Sequence, residues 1–362
     1  MTWDPHLMPR ALATCFATLV ACALVPGAAG ASVSLSSVSL TPSTTQAGGH
    51  PDVTIDTVFG LNPDTDDVKS VRVVLPQGLV GNPQAADACS EASFRADACP
   101  AGSKVGTTTA SAVVTVPPGV DMPQDVPGDV YSLQPRGSEP ARLGVVLRPQ
   151  AVNLVSLPKI FLESAVTSDA STNYGLSSTF DDLPRTSGPF DIRITEMKLT
   201  LAGSAAHGPF VTNPTGCGPA TMTASATSYD QPTVVVSRQA SFTPTGCSKL
   251  PFAPKLTGTI GGRGQTGLGA SPALTTTVSV GIGQANPRRI QVILPASTVA
   301  STGHSACSAS DIAHGTCPPA SVVGSATAVG PLLRAPLRGP VILAFSESEL
   351  ANLVIELRGQ CR

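Results

Sequence analysis

The sequence predicts an all-β protein of tandem immunoglobulin-like β-sandwich domains in which one unit is duplicated. Three observations predict it. Gly and Pro number 34 each and charged residues make up only 13% of the 362 residues, yet 41% are hydrophobic. Disorder goes with low hydrophobicity, so this composition points to a turn-rich folded chain instead. Short Val-rich runs alternate between turn residues, the pattern of half-buried strands. Finally, two stretches about two hundred residues apart repeat each other, VRVVLPQGLVGNPQAADACSEASFRADACPAGSKVG (71–106) and IQVILPASTVASTGHSACSASDIAHGTCPPASVVG (290–324).

Residues 1–31 read as a signal peptide. Arg10 precedes the apolar run ALATCFATLVACALV and the small-residue stretch PGAAGAS, with cleavage expected after Ala31 or Gly30. MTWDPHL before Met8 carries an Asp and fits poorly, which makes Met8 an alternative start. LVAC (19–22) resembles a lipoprotein signal, so lipid anchoring through Cys22 is a second reading. The apolar run continues past that cysteine to Val25, which favours ordinary cleavage. No later stretch approaches the ~20 apolar residues of a membrane span.

A Ser/Thr-rich lead follows (32–47), then β domain A (48–150), β domain B (151–255) and A′ (256–362). GGHPDVTIDTVF (48–59) aligns with GASPALTTTVSV (269–280), and CPAGSKVGTTTA (99–110) with CPPASVVGSATA (317–328). GDVYSLQ (128–134) aligns with GPVILAF (339–345), and RLGVVLRPQ (142–150) with NLVIELRGQ (352–360). Order, spacing and cysteines persist together, which marks a duplication. Within A, Val53, Ile55, Thr57 and Phe59 share one strand face, as do Val71, Val73 and Leu75, and Pro76 ends that run. SEASFRADA has the propensity for one helical turn. Domain B holds KIFLESAV, FDIRITEMKLTLAG and TMTASATS, again largely alternating, with turns NPTGCGP and TPTGCSKLPF. A′ has no B segment after it, so the chain is expected to be truncated or to end on an incomplete unit.

HPDVTI, LPQGLVGNP followed by Cys89, CPAGSKVG, VYSLQPRGSEPARLG and FVTNPTGCGP resemble motifs of large secreted β-repeat proteins of high-GC Gram-positive bacteria. The resemblance covers nearly all of the mature chain. It implies an exported β-repeat protein and carries no catalytic residue across.

Cysteines of an exported chain at repeated spacing read as disulfides: Cys89–Cys99, Cys217–Cys247 and Cys307–Cys317, with Cys361 left odd. Each bridge is expected to stabilise by roughly 2–4 kcal/mol. A zinc reading competes for His304, Cys307, His314 and Cys317, whose spacing is H-x₂-C-x₆-H-x₂-C. The first copy has alanines in place of both histidines and keeps both cysteines, which suits a disulfide. Asn62, Asp64 and Asp66 have the opening spacing of a calcium loop, without its glycine or its twelfth-position Glu, and an acidic turn is the plainer reading.

No catalytic constellation is evident. GHSAC (303–307) lacks the second glycine of a nucleophile elbow, and His50 and His207 stand alone in turn-like contexts. LPRTS (183–187) superficially resembles a wall-sorting signal, but it is internal and ends in Ser. A net charge of −2 and no basic cluster exclude an electrostatic footprint for nucleic acid. The mature chain has no Trp, and only Tyr131, Tyr174 and Tyr229, poor material for an aromatic glycan platform. The expectation is an exported, non-enzymatic structural or adhesion-type protein without cofactors, whose partners would be envelope or extracellular macromolecules. A glycan- or peptide-binding sandwich is the alternative, and an exported hydrolase the third class.

Overall fold

The structure is a computed structural model. It describes residues 33–61, 66–137, 139–152, 155–168, 175–261, 269–287, 304–330, 335–345 and 352–355, together with Gln265, Gly267, Ile290 and Leu333.

The main sheet draws on β1 (Val33–Pro42), β2 (Val53–Leu61), β3 (Val68–Val74), β5 (Lys104–Val116), β6 (Val120–Leu133), β7 (Ala141–Leu147), β8 (Ile160–Ser168), β9 (Leu176–Phe180), β11 (Phe190–Leu201), β15 (Ala220–Ser228) and β16 (Val236–Phe242). Two-residue strands β4 (Val80–Gly81), β10 (Thr186–Ser187), β12 (Ser204–Ala205), β13 (Gly208–Pro209) and β14 (Val211–Thr212) fasten the connections. The spatial order is β1-β2-β11-β5-β6-β7-β8-β9-β3-β15-β16, and every adjacent pair is antiparallel. The sheet curls until its two ends almost meet. Arg238 on β16 donates to the carbonyls of Leu35 (3.0 Å) and Ser36 (2.5 Å) on β1. Just beyond β1, Ala47 N donates to Thr245 O and Thr245 N to Thr45 O.

The protein is all-β, as expected, and this sheet is nearly closed and barrel-like; it does not confirm the expected tandem immunoglobulin-like sandwich. Segments 48–150 and 151–255, expected as separate domains, lace into one sheet. β11 lies between β2 and β5, joining Leu199 to both Ile55 and Thr108, while β3 lies between β9 and β15. Alternation told which face of each strand is buried; it carries no information about which strand lies alongside.

The buried faces meet inside the curl. Val53, Ile55, Thr57 and Phe59 of β2 are all buried, as are Met222, Ala224 and Ala226 of β15. They join Val105, Val130, Val145 and Ile194 in one core. Val71 is buried, whereas Val73 and Leu75 are partly exposed and border an apolar cavity of about 100 Å³. A second cluster, Val114, Val116, Val152, Phe190 and Ile192, fills the far end of the long β5–β6 hairpin. Close approach is built into β5 at Gly106, where a Cβ would lie 2.2 Å from the Thr200 carbonyl oxygen of β11.

The C-terminal residues form smaller sheets: a hairpin of β17 (Lys255–Ile260) and β18 (Leu274–Ser279), and a three-stranded sheet of β19 (Val322–Ala328), β20 (Leu337–Ala344) and β21 (Asn352–Ile355). Of the aligned strand 290–295, all but Ile290 lies outside the described residues.

Candidate functional site

The feature that concentrates covalent and charged chemistry is a clip lying against the sheet between β6 and β8. Ser90 caps α1 (Glu91–Arg95): its hydroxyl accepts the Ser93 amide at 3.1 Å, one of the orphan donors of a helix start. The expected helical turn of SEASFRADA is thus present. Cys89 and Cys99 on either side of it are bonded, with Cα atoms 5.3 Å apart. Cys89 N donates to Ser132 O and Gln134 N to Cys89 O, which stitches the base of the clip alongside β6. Phe94 is fully buried among Cys89, Leu133 and Val146, edge-on to Phe161 with ring centroids 5.5 Å apart.

Ion pairs surround the clip. Glu163 on β8 takes Arg95 at 2.6 Å, Arg136 at 2.9 Å and Arg142 at 3.1 Å. Arg136 also reaches Glu91 at 2.6 Å, and Glu139 holds Arg142 closely. On the other flank Asp97 receives Lys159 (2.6 Å) and Arg148 (2.9 Å), and Asp129 receives Lys104 (2.6 Å) and Arg148 (2.7 Å). The hydrogen bond from Lys159 leads in holding the Asp97 carboxyl below its ordinary pKa, against the opposing effect of burial. For Asp129 and Glu139 burial is the largest influence and pushes upward, but their cationic partners outweigh it and the net shift is downward. Asp97 follows the helix with φ 52°, a left-handed conformation that Asp tolerates better than most residues.

The second clip has the same parts. Ser308 caps α2 (Ala309–His314), its hydroxyl accepting the Asp311 amide at 3.1 Å, and Cys307 and Cys317 are bonded. Cys307 N donates to Leu343 O and Phe345 N to Cys307 O, alongside β20. The left-handed position of Asp97 is taken by Gly315, with φ 67°. Its helix buries no residue, and Ile312 stands where Phe94 does in the first clip. Cys217–Cys247 is bonded as well.

The zinc reading is overturned here: both of its thiols are consumed by a disulfide, while His304 Nδ1 lies 3.2 Å from Ala320 O and His314 Nδ1 2.7 Å from Ser310 O. Among the described residues no group of three or more His, Cys, Asp or Glu could hold a metal ion. Asn62 and Asp64 of the calcium reading lie outside the described residues, as do Cys22 and Cys361. Asp66 is buried, its carboxylate accepting the Asp230 amide at 3.0 Å. Neighbouring Asp67 pairs with Arg185 at 2.9 Å.

The remaining candidates lie apart from the clips. His50 Nδ1 sits 3.1 Å from Val211 O, and His207 Nε2 sits 2.8 Å from Asp87 Oδ1 at the surface. Tyr229 donates to Leu183 O at 2.7 Å and carries Arg185 over its ring, and Tyr131 reaches Asp129 at 3.4 Å; Tyr174 lies outside the described residues. The apolar cavity, at about 100 Å³, falls well short of the roughly 300–1,000 Å³ of small-molecule sites. The charged surround was missed by sequence reasoning. Its one available signal was that a charge-poor chain places Glu91, Arg95 and Asp97 around the clip helix.

No family model matches the chain, and no curated protein or solved structure matches it either. Among the described residues no helix is long and apolar enough to cross a membrane.

Proposed function

We propose that this chain is an exported, non-enzymatic structural or adhesion-type protein of the cell surface or extracellular space, built of duplicated, disulfide-clipped β units. The observation that carries the proposal is the pair of matching clips. Each closes a loop of sequence separation 10 around a serine-capped helix, and each is stitched by two backbone hydrogen bonds alongside an adjacent strand. Three disulfides suit an oxidising compartment outside the cytosol. Residues 1–31 supply the export signal in this reading, and the resemblance to secreted repeat proteins agrees with it. The charged groups around the first clip are spent on one another, an arrangement suited to holding a surface loop rigid.

Fractionation of producing cells, with disulfide mapping of the native protein and a screen of peptide, ester and glycoside substrates, tests the proposal. The protein is expected in the envelope or medium, with three bridges and no turnover. Recovery from the cytosol with free thiols, or turnover that survives purification to a single species, would contradict it.

A further inference from the structure

We propose that the apolar cavity inside the curl of the main sheet is a binding site for a small uncharged apolar molecule, a hydrocarbon of a few carbon atoms, and that it rejects water. The inference goes beyond the reading above and needs neither export nor the clips.

The sheet encloses more space than its side chains fill. A barrel of about eight strands is just wide enough for side chains to close it, and wider ones leave cavities. Here the curl runs through eleven strands, β1 to β16 in the order given above. The chain has little with which to fill that width, since aromatics are only 4% of its residues. Its buried side chains are mostly Val, Leu, Ile and Ala. What is left is a space of about 100 Å³ lined by Val53 and Ile55 of β2, Val73 of β3, Phe180 of β9, Leu199 of β11 and Val211 of β14. All of these are among the described residues, and they come from strands on several sides of the curl.

The polar groups of the wall are already engaged. Ser177 Oγ lies 2.8 Å from Thr167 Oγ1 and Ser178 Oγ lies 2.6 Å from Ser164 Oγ, while the Arg142 guanidinium is held by Glu139 and Glu163. Ser132, the other polar residue of the wall among the described residues, gives its carbonyl to the Cys89 amide. A water in a cavity needs about two to four hydrogen-bonding partners, and an apolar cavity that lacks them stays dry.

Size then selects the guest. An apolar cavity of roughly 150 Å³ takes benzene or xenon. At about 100 Å³ this one is smaller, which fits xenon or a hydrocarbon of a few carbons and leaves no room for a sugar, a peptide or a whole lipid.

The test uses the full chain with its disulfides intact and xenon as the probe. Methyl resonances of Val53, Ile55, Val73 and Leu199 are followed by NMR as xenon pressure is raised, with Val120, exposed at the turn of the β5–β6 hairpin, as the control. The lining methyls are expected to shift along a saturating curve and Val120 is not. Propane is expected to compete with xenon at the same methyls. Val166 also lines the cavity, and Val166→Phe is expected to fill it and weaken xenon binding about tenfold or more. The proposal is overturned if the lining methyls show no saturating shift, if Val120 shifts as strongly as they do, or if propane does not compete. It is overturned equally by undiminished xenon binding in a folded Val166→Phe, or by Overhauser contacts that place ordered water among the lining methyls. The xenon, propane and water measurements are made on the unaltered chain, so they decide the question even where Val166→Phe fails to fold.

Discussion

Glu163 is the residue on which the most charge converges. Its side chain is 9% exposed and meets three guanidiniums, of which Arg95 and Arg136 are about half exposed and Arg142 keeps Glu139 as a second partner. Glu163→Ala is therefore expected to destabilise the fold by about 1 kcal/mol, read as a shifted denaturation midpoint. Acid should act on the neighbouring carboxyls. Asp97, Asp129 and Glu139 titrate lower in the folded chain than in the unfolded one. Their contribution to stability is complete above the ordinary carboxylate pKa of ~4 and is lost as pH falls through the lower folded values. Asp97→Asn, with Arg148 and Lys159 left uncompensated, should flatten that acid limb in denaturation curves recorded between pH 5 and 2; an unchanged slope would remove Asp97 from the account. None of these partners was legible in the sequence. Lys159 lies 62 positions from Asp97, and nothing in a strand's alternation says which charge will face which.

At the scale of elements, the two clips share a covalent closure, a serine cap and two backbone stitches, and differ in the side chains packed around them. Replacing Cys89 and Cys99 by serine is expected to cost about 2–4 kcal/mol on the loop-entropy argument, and replacing Cys307 and Cys317 the same, because the loops are equal in length. Reduction should nonetheless separate them. Phe94 is fully buried and the ion pairs remain, so α1 is expected to stay docked, whereas among the described residues α2 buries no side chain and its Ile312 is half-buried. Faster amide exchange over 309–314 than over 91–95 in reductant is the predicted reading; equal rates would mean that the ion pairs and Phe94 add nothing. The glycines make a second contrast. Gly106→Val drives a side chain into the β11 backbone and should cost about 3 kcal/mol or more, while Gly324→Val should leave stability within about 0.5 kcal/mol. The strands and the clip helix were readable from alternation, proline stops and the helical propensity of SEASFRADA. The bond partners of the strands were not.

At the scale of the molecule, the sequence conveyed class and punctuation but not topology. Val53, Ile55 and Phe59 were read to their buried face, the cysteine pairs were read from their spacing, and the all-β class followed from composition and turns. The division at residue 150 fails because pairing across it is long-range. β2 and β3 are adjacent in sequence, yet each is flanked by strands from the segment after 150, as Leu199 beside Ile55 and Ser178 beside Val73 show. Connections of that length leave no local signal, since a strand offers the same edge to any partner. The charges around the clip were hidden for the same reason, while the clip itself was visible because both of its cysteines lie within one short loop.

The central claim is that matching covalent clips organise this chain. Intact-mass analysis of the native protein, alkylated before and after reduction, tests it most directly. The account predicts three disulfides, with peptide mapping linking Cys89 to Cys99, Cys217 to Cys247 and Cys307 to Cys317. Native alkylation of Cys307 and Cys317 would contradict it, because the second clip would then be held by something other than its own bond.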